Sequence, residues 1–129
     1  KRKKKGIYVD IGCYHPLDGS NTYLLYKRGW KGVNVDINKT SIDLFNIARK
    51  KDLNLNIAIS DTSKKVKVFY RKKINMLNTI VKKNALSNFK KGFKSTYINS
   101  NSLNTLLENL NMNIKKIDFL NLDIEEIQW

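Results

Sequence analysis

Cysteine is almost absent from this chain, and Cys13, the only one, leaves no partner for an internal disulfide. With one histidine beside that one cysteine, the ligands of a Cys/His zinc centre are missing, and no metal site is expected. A reduced, cytoplasmic setting is the simplest expectation. No stretch comes near the roughly 18–20 consecutive apolar residues that span a bilayer, which excludes a membrane-crossing helix. Proline occurs once, at Pro16, and marks a loop there. What is present suits one folded domain: 129 residues with 41% apolar and 10% aromatic content are too hydrophobic for a disordered basic tail. The chain begins at a lysine, so residue 1 is read as something other than the native start. The basic run Lys1–Lys5 has no signal-peptide core behind it, because Asp10 interrupts the apolar stretch.

Charge of one sign dominates, with 25 basic against 11 acidic residues and a net charge of +14. Its distribution matters more than its sum. Five basic residues form the N-terminal extension 1–5, and eleven more lie between Lys64 and Lys94, where no acid occurs. The remaining nine face all eleven acids, so the rest of the chain is nearly neutral. A basic block interleaved with Phe69, Tyr70, Phe89, Phe93 and Tyr97 suits phosphate contacts and base stacking. The abundance of Asn (17), Lys (21) and Ile (14) points instead to biased composition and a solvated lysine-rich loop. Nucleic acid is therefore the lesser partner expectation.

The pattern alternates strands with helices. Ile7–Gly12 reads as a buried strand, and residues 13–19 as a loop holding the single proline. Ser20 is placed to cap a helix through Arg28, with Gly29 as its left-handed terminator. Gly32–Ile37 is a second strand, and Thr40 or Ser41 opens a helix to about Lys51 in which Ile42, Phe45 and Ala48/Arg49 keep helical spacing. Leu53–Ser60 alternates apolar residues and asparagine as a third strand, and Lys65–Tyr70 alternates again as a marginal or hairpin strand. Residues 71–94 show the weakest pattern, and 95–98 suggest a short strand. Ser102 caps a helix through Asn109 with Leu103, Leu106, Leu107 and Leu110 on one face. Ile117–Asp123 is the last strand. Such alternation predicts parallel βαβ units, whose ligands bind at the carboxyl ends of the strands.

Those ends are acidic: Asp10 with Gly12, then Asp36, then Ser60 with Asp61, then Asp123 with Glu125. Asp36 follows Gly12 by 24 residues. An acid there either accepts hydrogen bonds from ribose hydroxyls or simply caps the next helix. The loop after Gly12 reads Cys-Tyr-His-Pro, without the glycine fingerprint of dinucleotide folds, and no Walker A loop occurs. A cofactor without phosphate fits better, and a nicotinamide-dependent oxidoreductase is the weakest reading.

The segment YVDIGCYHPLDGSNTYLLYKRGWKGVNVDI, followed by NLNIAISD and IDFLNLDIE, resembles the FkbM-type S-adenosylmethionine-dependent methyltransferases over roughly residues 6–61 and 100–125. The resemblance implies an α/β class: a Rossmann-like, mostly parallel sheet with flanking helices, of the class I methyltransferase type. It implies S-adenosyl-L-methionine as cofactor, with Asp10 and Gly12 at its methionine end, Asp36 on the ribose hydroxyls, Ile37 on adenine and Asp61 on the adenine amino group. A cationic sulfonium suits such a carboxylate-rich pocket. Asp123 and Glu125 would face the acceptor and orient or deprotonate its hydroxyl, although Glu126 stands where the family pattern has glycine. His15 is either a base, a contact of the cofactor carboxylate, or a locally bonded loop histidine. Ser20, Asn21 and Thr22 open a helix whose N–H groups hold that carboxylate, or they only cap it. Cys13, Tyr23, Tyr26 and Trp30 read as packing residues.

A complete sheet of this type has about seven strands, so residues 1–129 are expected to be a single but incomplete domain. The leading functional expectation is O-methylation of a sugar or other small-molecule hydroxyl. The alternatives are a nucleic-acid-binding module or a non-catalytic structural domain on the same scaffold.

Overall fold

The computed structural model describes residues 5–61, 64–70 and 94–123. The order is β1 (Ile7–Ile11), α1 (Tyr23–Lys27), β2 (Lys31–Val35), α2 (Lys39–Ala48), β3 (Leu53–Leu55), β4 (Ala58–Ile59), β5 (Lys64–Tyr70), β6 (Lys94–Asn101), α3 (Leu103–Asn109), a 3-10 turn (Ile114–Lys116) and β7 (Phe119–Leu122). Four strands form one parallel sheet in the order β3-β2-β1-β7. The chain thus builds outward from β1 to β3 and later returns to the other side of β1. That reversal is the topological switch point at which α/β sheets bind ligands, and it supports the Rossmann-like α/β expectation.

Period-2 alternation assigns the two faces of this sheet different chemistry. Val9, Ile11, Val33 and Val35 pack with Ile59 and with Leu103, Leu106 and Leu107 of α3 in the main core. The opposite face of β1 and β2 carries Tyr8, Asp10, Gly32 and Asn34, under α2 and the loop after β1. At Gly32 a Cβ would come within 2.2 Å of the Tyr8 ring and 2.3 Å of the Tyr8 carbonyl oxygen. Gly32→Ala is therefore expected to lose roughly 1–3 kcal/mol through overpacking, read as a lower urea midpoint; an unchanged midpoint rejects this packing.

Several boundaries differ from the sequence reading, each for a local reason. α1 starts at Tyr23, and Thr22 occupies its N-cap position without a side-chain cap bond. The Thr22 hydroxyl is already committed to Asp10 and Arg49. Ser20 instead accepts the Thr22 N–H at 3.2 Å. Gly29 does take the left-handed conformation, φ 91°. α2 is capped by Asn38, whose side chain accepts the Ser41 N–H, so it begins ahead of Thr40. Ser102 caps α3 as expected, accepting the Thr105 N–H at 3.1 Å.

The third predicted strand is two. β3 belongs to the main sheet, whereas β4 pairs with β6 in a second sheet ordered β4-β6-β5, with β5 and β6 antiparallel. Alternation continues unbroken through the sheet change, so the sequence pattern does not reveal it. β6 is eight residues long rather than the short strand expected, because Lys94–Ser100 pair with β5 and Asn101 pairs with β4. Residues 71–93, with most of the basic block, and 1–4 of the N-terminal extension lie outside the described residues. Among the described residues, no helix is long and apolar enough to cross a membrane.

Candidate functional site

The carboxyl edge of the main sheet is built by backbone bonds that tie four strand ends together. Gly12 and Cys13 donate their N–H groups to the Val35 carbonyl at 2.8 and 3.1 Å. Asp36 donates to the Leu55 carbonyl at 3.2 Å, and Asp123 donates to the Ile11 carbonyl at 2.9 Å. Gly12 has φ 80°, a left-handed turn that favours glycine, and the chain turns left-handed again at Tyr14, φ 59°. Asp10, Gly12, Asp36 and Asp123 are thereby gathered at one edge.

Asp36 is held from both sides. Its Oδ2 accepts the Tyr14 N–H and its Oδ1 accepts the Asn38 N–H, each at 2.8 Å. Burial raises its pKa above the ordinary carboxylate range, the two backbone donors oppose this, and the Asp10 charge adds to the rise. Each oxygen still has acceptor capacity beyond its one backbone donor. The Asn56 amide donates to the Asp36 carbonyl at 3.0 Å, fixing the turn where the chain leaves the main sheet.

Asp10 lies deeper, at 1% exposure. Its oxygens accept the Thr22 hydroxyl at 3.3 Å and the Asn121 amide at 3.0 Å. Burial raises its pKa, opposed by those two hydrogen bonds and by Arg49. The same burial, with the charges of Asp36 and Asp10, pushes the Cys13 thiol up, so it remains a protonated packing group rather than a nucleophile.

The loop residues are strongly engaged. His15 Nδ1 accepts the N–H groups of Leu17 and Asp18, both at 3.0 Å, which leaves Nε2 as the protonated nitrogen of the neutral ring. Thr22 is fully buried, Asn21 is exposed, and Ser20 is partly buried. Ser20 and Thr22 both accept from Arg49, at 2.8 and 2.6 Å.

Ile37 is half-buried and lines an open pocket of about 440 Å³, with the first turn of α2 and Asn56 on one side and Val68 and Tyr97 on the other. Ser60 and Asp61 stand at the end of β4, on the second sheet. Ser60 donates its N–H to Asn101 and its hydroxyl bonds Ser100, while Asp61 is exposed. Asp123 is exposed at the switch point, and Glu125 and Glu126 lie outside the described residues.

Sequence reasoning passed over Arg49, Tyr8, Asp52 and Asn121. Arg49 left a trace: it occupies the apolar face of α2, four residues after Phe45, where a charge has no business unless it is partnered. Asn121 sits between Leu120 and Leu122 and opposite Asp10 in register.

No curated protein and no solved structure matches the chain. A family model described as the methyltransferase FkbM domain matches residues 10–127, from the carboxylate of β1 past the end of β7. That span takes in the switch point, both sheets and every acidic strand end named above, and the chain belongs to the FkbM methyltransferase domain family.

Proposed function

We propose that the chain is an S-adenosylmethionine-dependent O-methyltransferase acting on a hydroxyl of a sugar or other small metabolite. The observation that carries this reading is Asp36: a carboxylate at the end of β2, oriented by backbone donors from two different segments, with acceptor capacity remaining on both oxygens. Such a group suits a pair of adjacent ribose hydroxyls. The surroundings also fit the cofactor. Gly12 brings bare backbone to the edge, the sequence carries neither the dinucleotide glycine fingerprint nor a Walker A loop, and the carboxylates match a cationic sulfonium. Family membership points the same way, since methyltransferases of this kind use S-adenosylmethionine.

In this reading Asp36 takes the ribose hydroxyls, Ile37 packs on adenine, and Asp61 accepts from its amino group. Asp10 supports the methionine end from beneath, because it is buried at 1% exposure and held by Thr22 and Asn121. Bound here, the cofactor supplies a methyl group activated on sulfur. The protein's own contribution is placement of the acceptor in line with that methyl. Asp123, beside Gly12 across the switch point, is the group that takes the acceptor's proton, while His15, with Nδ1 held by two backbone donors, offers only its Nε2–H and acts as a donor toward the bound groups.

Calorimetric titration with S-adenosylhomocysteine tests the proposal. Saturable binding at one site is expected, weakening as pH falls toward the raised pKa of Asp36, since a protonated carboxyl offers fewer acceptors. The weakening should therefore begin at higher pH than for an exposed aspartate. Absence of binding across this range would sink the reading.

A further inference from the structure

Among the described residues, one deeply buried charge belongs to no role assigned so far. Arg49 closes α2 at its carboxyl end, with its side chain 1% exposed. Its guanidinium lies against the rings of Phe45, Tyr26 and Tyr8, 4.9, 5.3 and 5.8 Å from their centroids. Nη1 donates to the Thr22 hydroxyl at 2.6 Å and the Tyr8 hydroxyl at 3.2 Å. Nη2 donates to the Pro16 carbonyl at 2.9 Å and the Ser20 hydroxyl at 2.8 Å. Three of these four acceptors lie in one segment, the loop between β1 and α1.

That loop starts at Gly12, turns through the left-handed Tyr14, and is tied at its far side to Asp36 by the Tyr14 N–H. Arg49 supplies the second tie, at Pro16, Ser20 and Thr22, and Thr22 hands it on to Asp10. Apolar side chains in place of both Arg49 and Asp52, whose Oδ2 lies 3.9 Å from Nη1, would avoid burying a charge pair, and buried pairs seldom add net stability over such a replacement. The fork, by contrast, reaches acceptors spread over seven residues of loop, which the single ammonium of lysine does not span. We propose that Arg49 is a positioning residue: it holds the loop 13–22 against the sheet so that Gly12 to His15 present a fixed edge toward Asp36 and the cofactor. This inference rests on the cofactor reading above.

The test compares the protein with its Arg49→Lys, Ser20→Ala and Thr22→Val variants by amide hydrogen exchange and by titration with S-adenosylhomocysteine. Hydrogen-bonded amides at Leu17, Asp18, Ser20 and Thr22 report the loop; those of the β1–β2 ladder report the frame. In Arg49→Lys the loop amides should lose protection at least tenfold relative to the ladder, with affinity falling tenfold or more. Thr22→Val, and Ser20→Ala read at Leu17, Asp18 and Ser20 alone because it removes the acceptor of the Thr22 amide, should each show the same selective pattern at about threefold, and they carry the test if the lysine variant does not fold. Equal loss of loop and ladder protection assigns Arg49 to general stability and overturns the proposal. So does affinity within twofold of the parent despite a loosened loop. If the parent itself fails to bind, the cofactor reading falls, and the exchange comparison alone still decides whether Arg49 anchors the loop.

Discussion

Asp36→Ala is expected to reduce S-adenosylhomocysteine affinity by about a hundredfold or more while leaving a folded protein. Hydrogen bonds to a charged group contribute roughly 1.5–3 kcal/mol each, and two ribose hydroxyls share this one carboxylate. At about 1.4 kcal/mol per tenfold change, losing both exceeds two orders of magnitude. The substitution also releases the Tyr14 and Asn38 N–H groups, so the edge loosens as its ligand contact disappears. Asn38 keeps its own side-chain cap on Ser41, and α2 should persist. Asparagine at position 36 is a sharper probe. Both protein partners of the carboxylate are donors, so either amide orientation turns an NH₂ group toward a backbone N–H. Asp36→Asn should therefore bind nearly as poorly as alanine, unlike an ordinary exposed aspartate, where the amide is a mild change. Calorimetry on the three proteins, with urea midpoints as the folding control, decides. Binding by both variants within twofold of the parent would remove Asp36 from the site.

Much of the architecture is legible in the sequence because its signals are local. β1 and β2 are β-branched runs ended by Gly12 and Asp36, and α3 announces itself through Ser102 and the Leu103, Leu106, Leu107 spacing. The acids at the strand ends are visible for the same reason: a parallel sheet places successive strand ends on one edge, so sequence order alone predicts that Asp10, Asp36 and Asp123 gather there. What the sequence conceals depends on partners distant in the chain. The Leu53–Ser60 run keeps one alternation while its two halves join different sheets, since period two describes a strand but not its neighbours. Arg49 looks like the end of a helix until Pro16, Ser20 and Thr22 are found around it, 33, 29 and 27 residues away. Ser20 reads as a cap because capping is read from a few adjacent residues, yet Thr22 holds the N-cap position and the Ser20 hydroxyl faces that guanidinium.

Asp52→Ala is expected to be the most destabilising single substitution described here, at roughly 3–5 kcal/mol, because it strands a buried charge. The Asp52 side chain is fully buried. It accepts the Tyr8 hydroxyl, the Gly32 N–H at 3.0 Å and the Asn34 amide at 3.0 Å. Its Oδ2 lies 3.9 Å from Arg49 Nη1, so attraction between the charges passes largely through Tyr8, which accepts from Arg49 and donates to Asp52. Burial, and then the hydrogen bond to Asp52, hold the Tyr8 phenol well above its ordinary pKa, so it remains a donor. Alanine at 52 takes a buried counterion from the guanidinium and leaves three donors without an acceptor, against a total stability that for most domains is only about 5–15 kcal/mol. Tyr8→Phe removes only the relay: Asp52 keeps the Gly32 and Asn34 donors, and the expected loss is about 1–2 kcal/mol, within the usual range for one hydrogen bond and its unsatisfied partner. The ordering is the diagnostic feature. If Arg49 and Asp52 form one coupled unit, the double variant Arg49→Met/Asp52→Ala should recover part of the loss of Asp52→Ala, since it removes the stranded charge as well as its counterion. Urea midpoints for the single and double variants settle it: a double variant less stable than Asp52→Ala by the full effect of Arg49→Met would show that the two charges contribute independently.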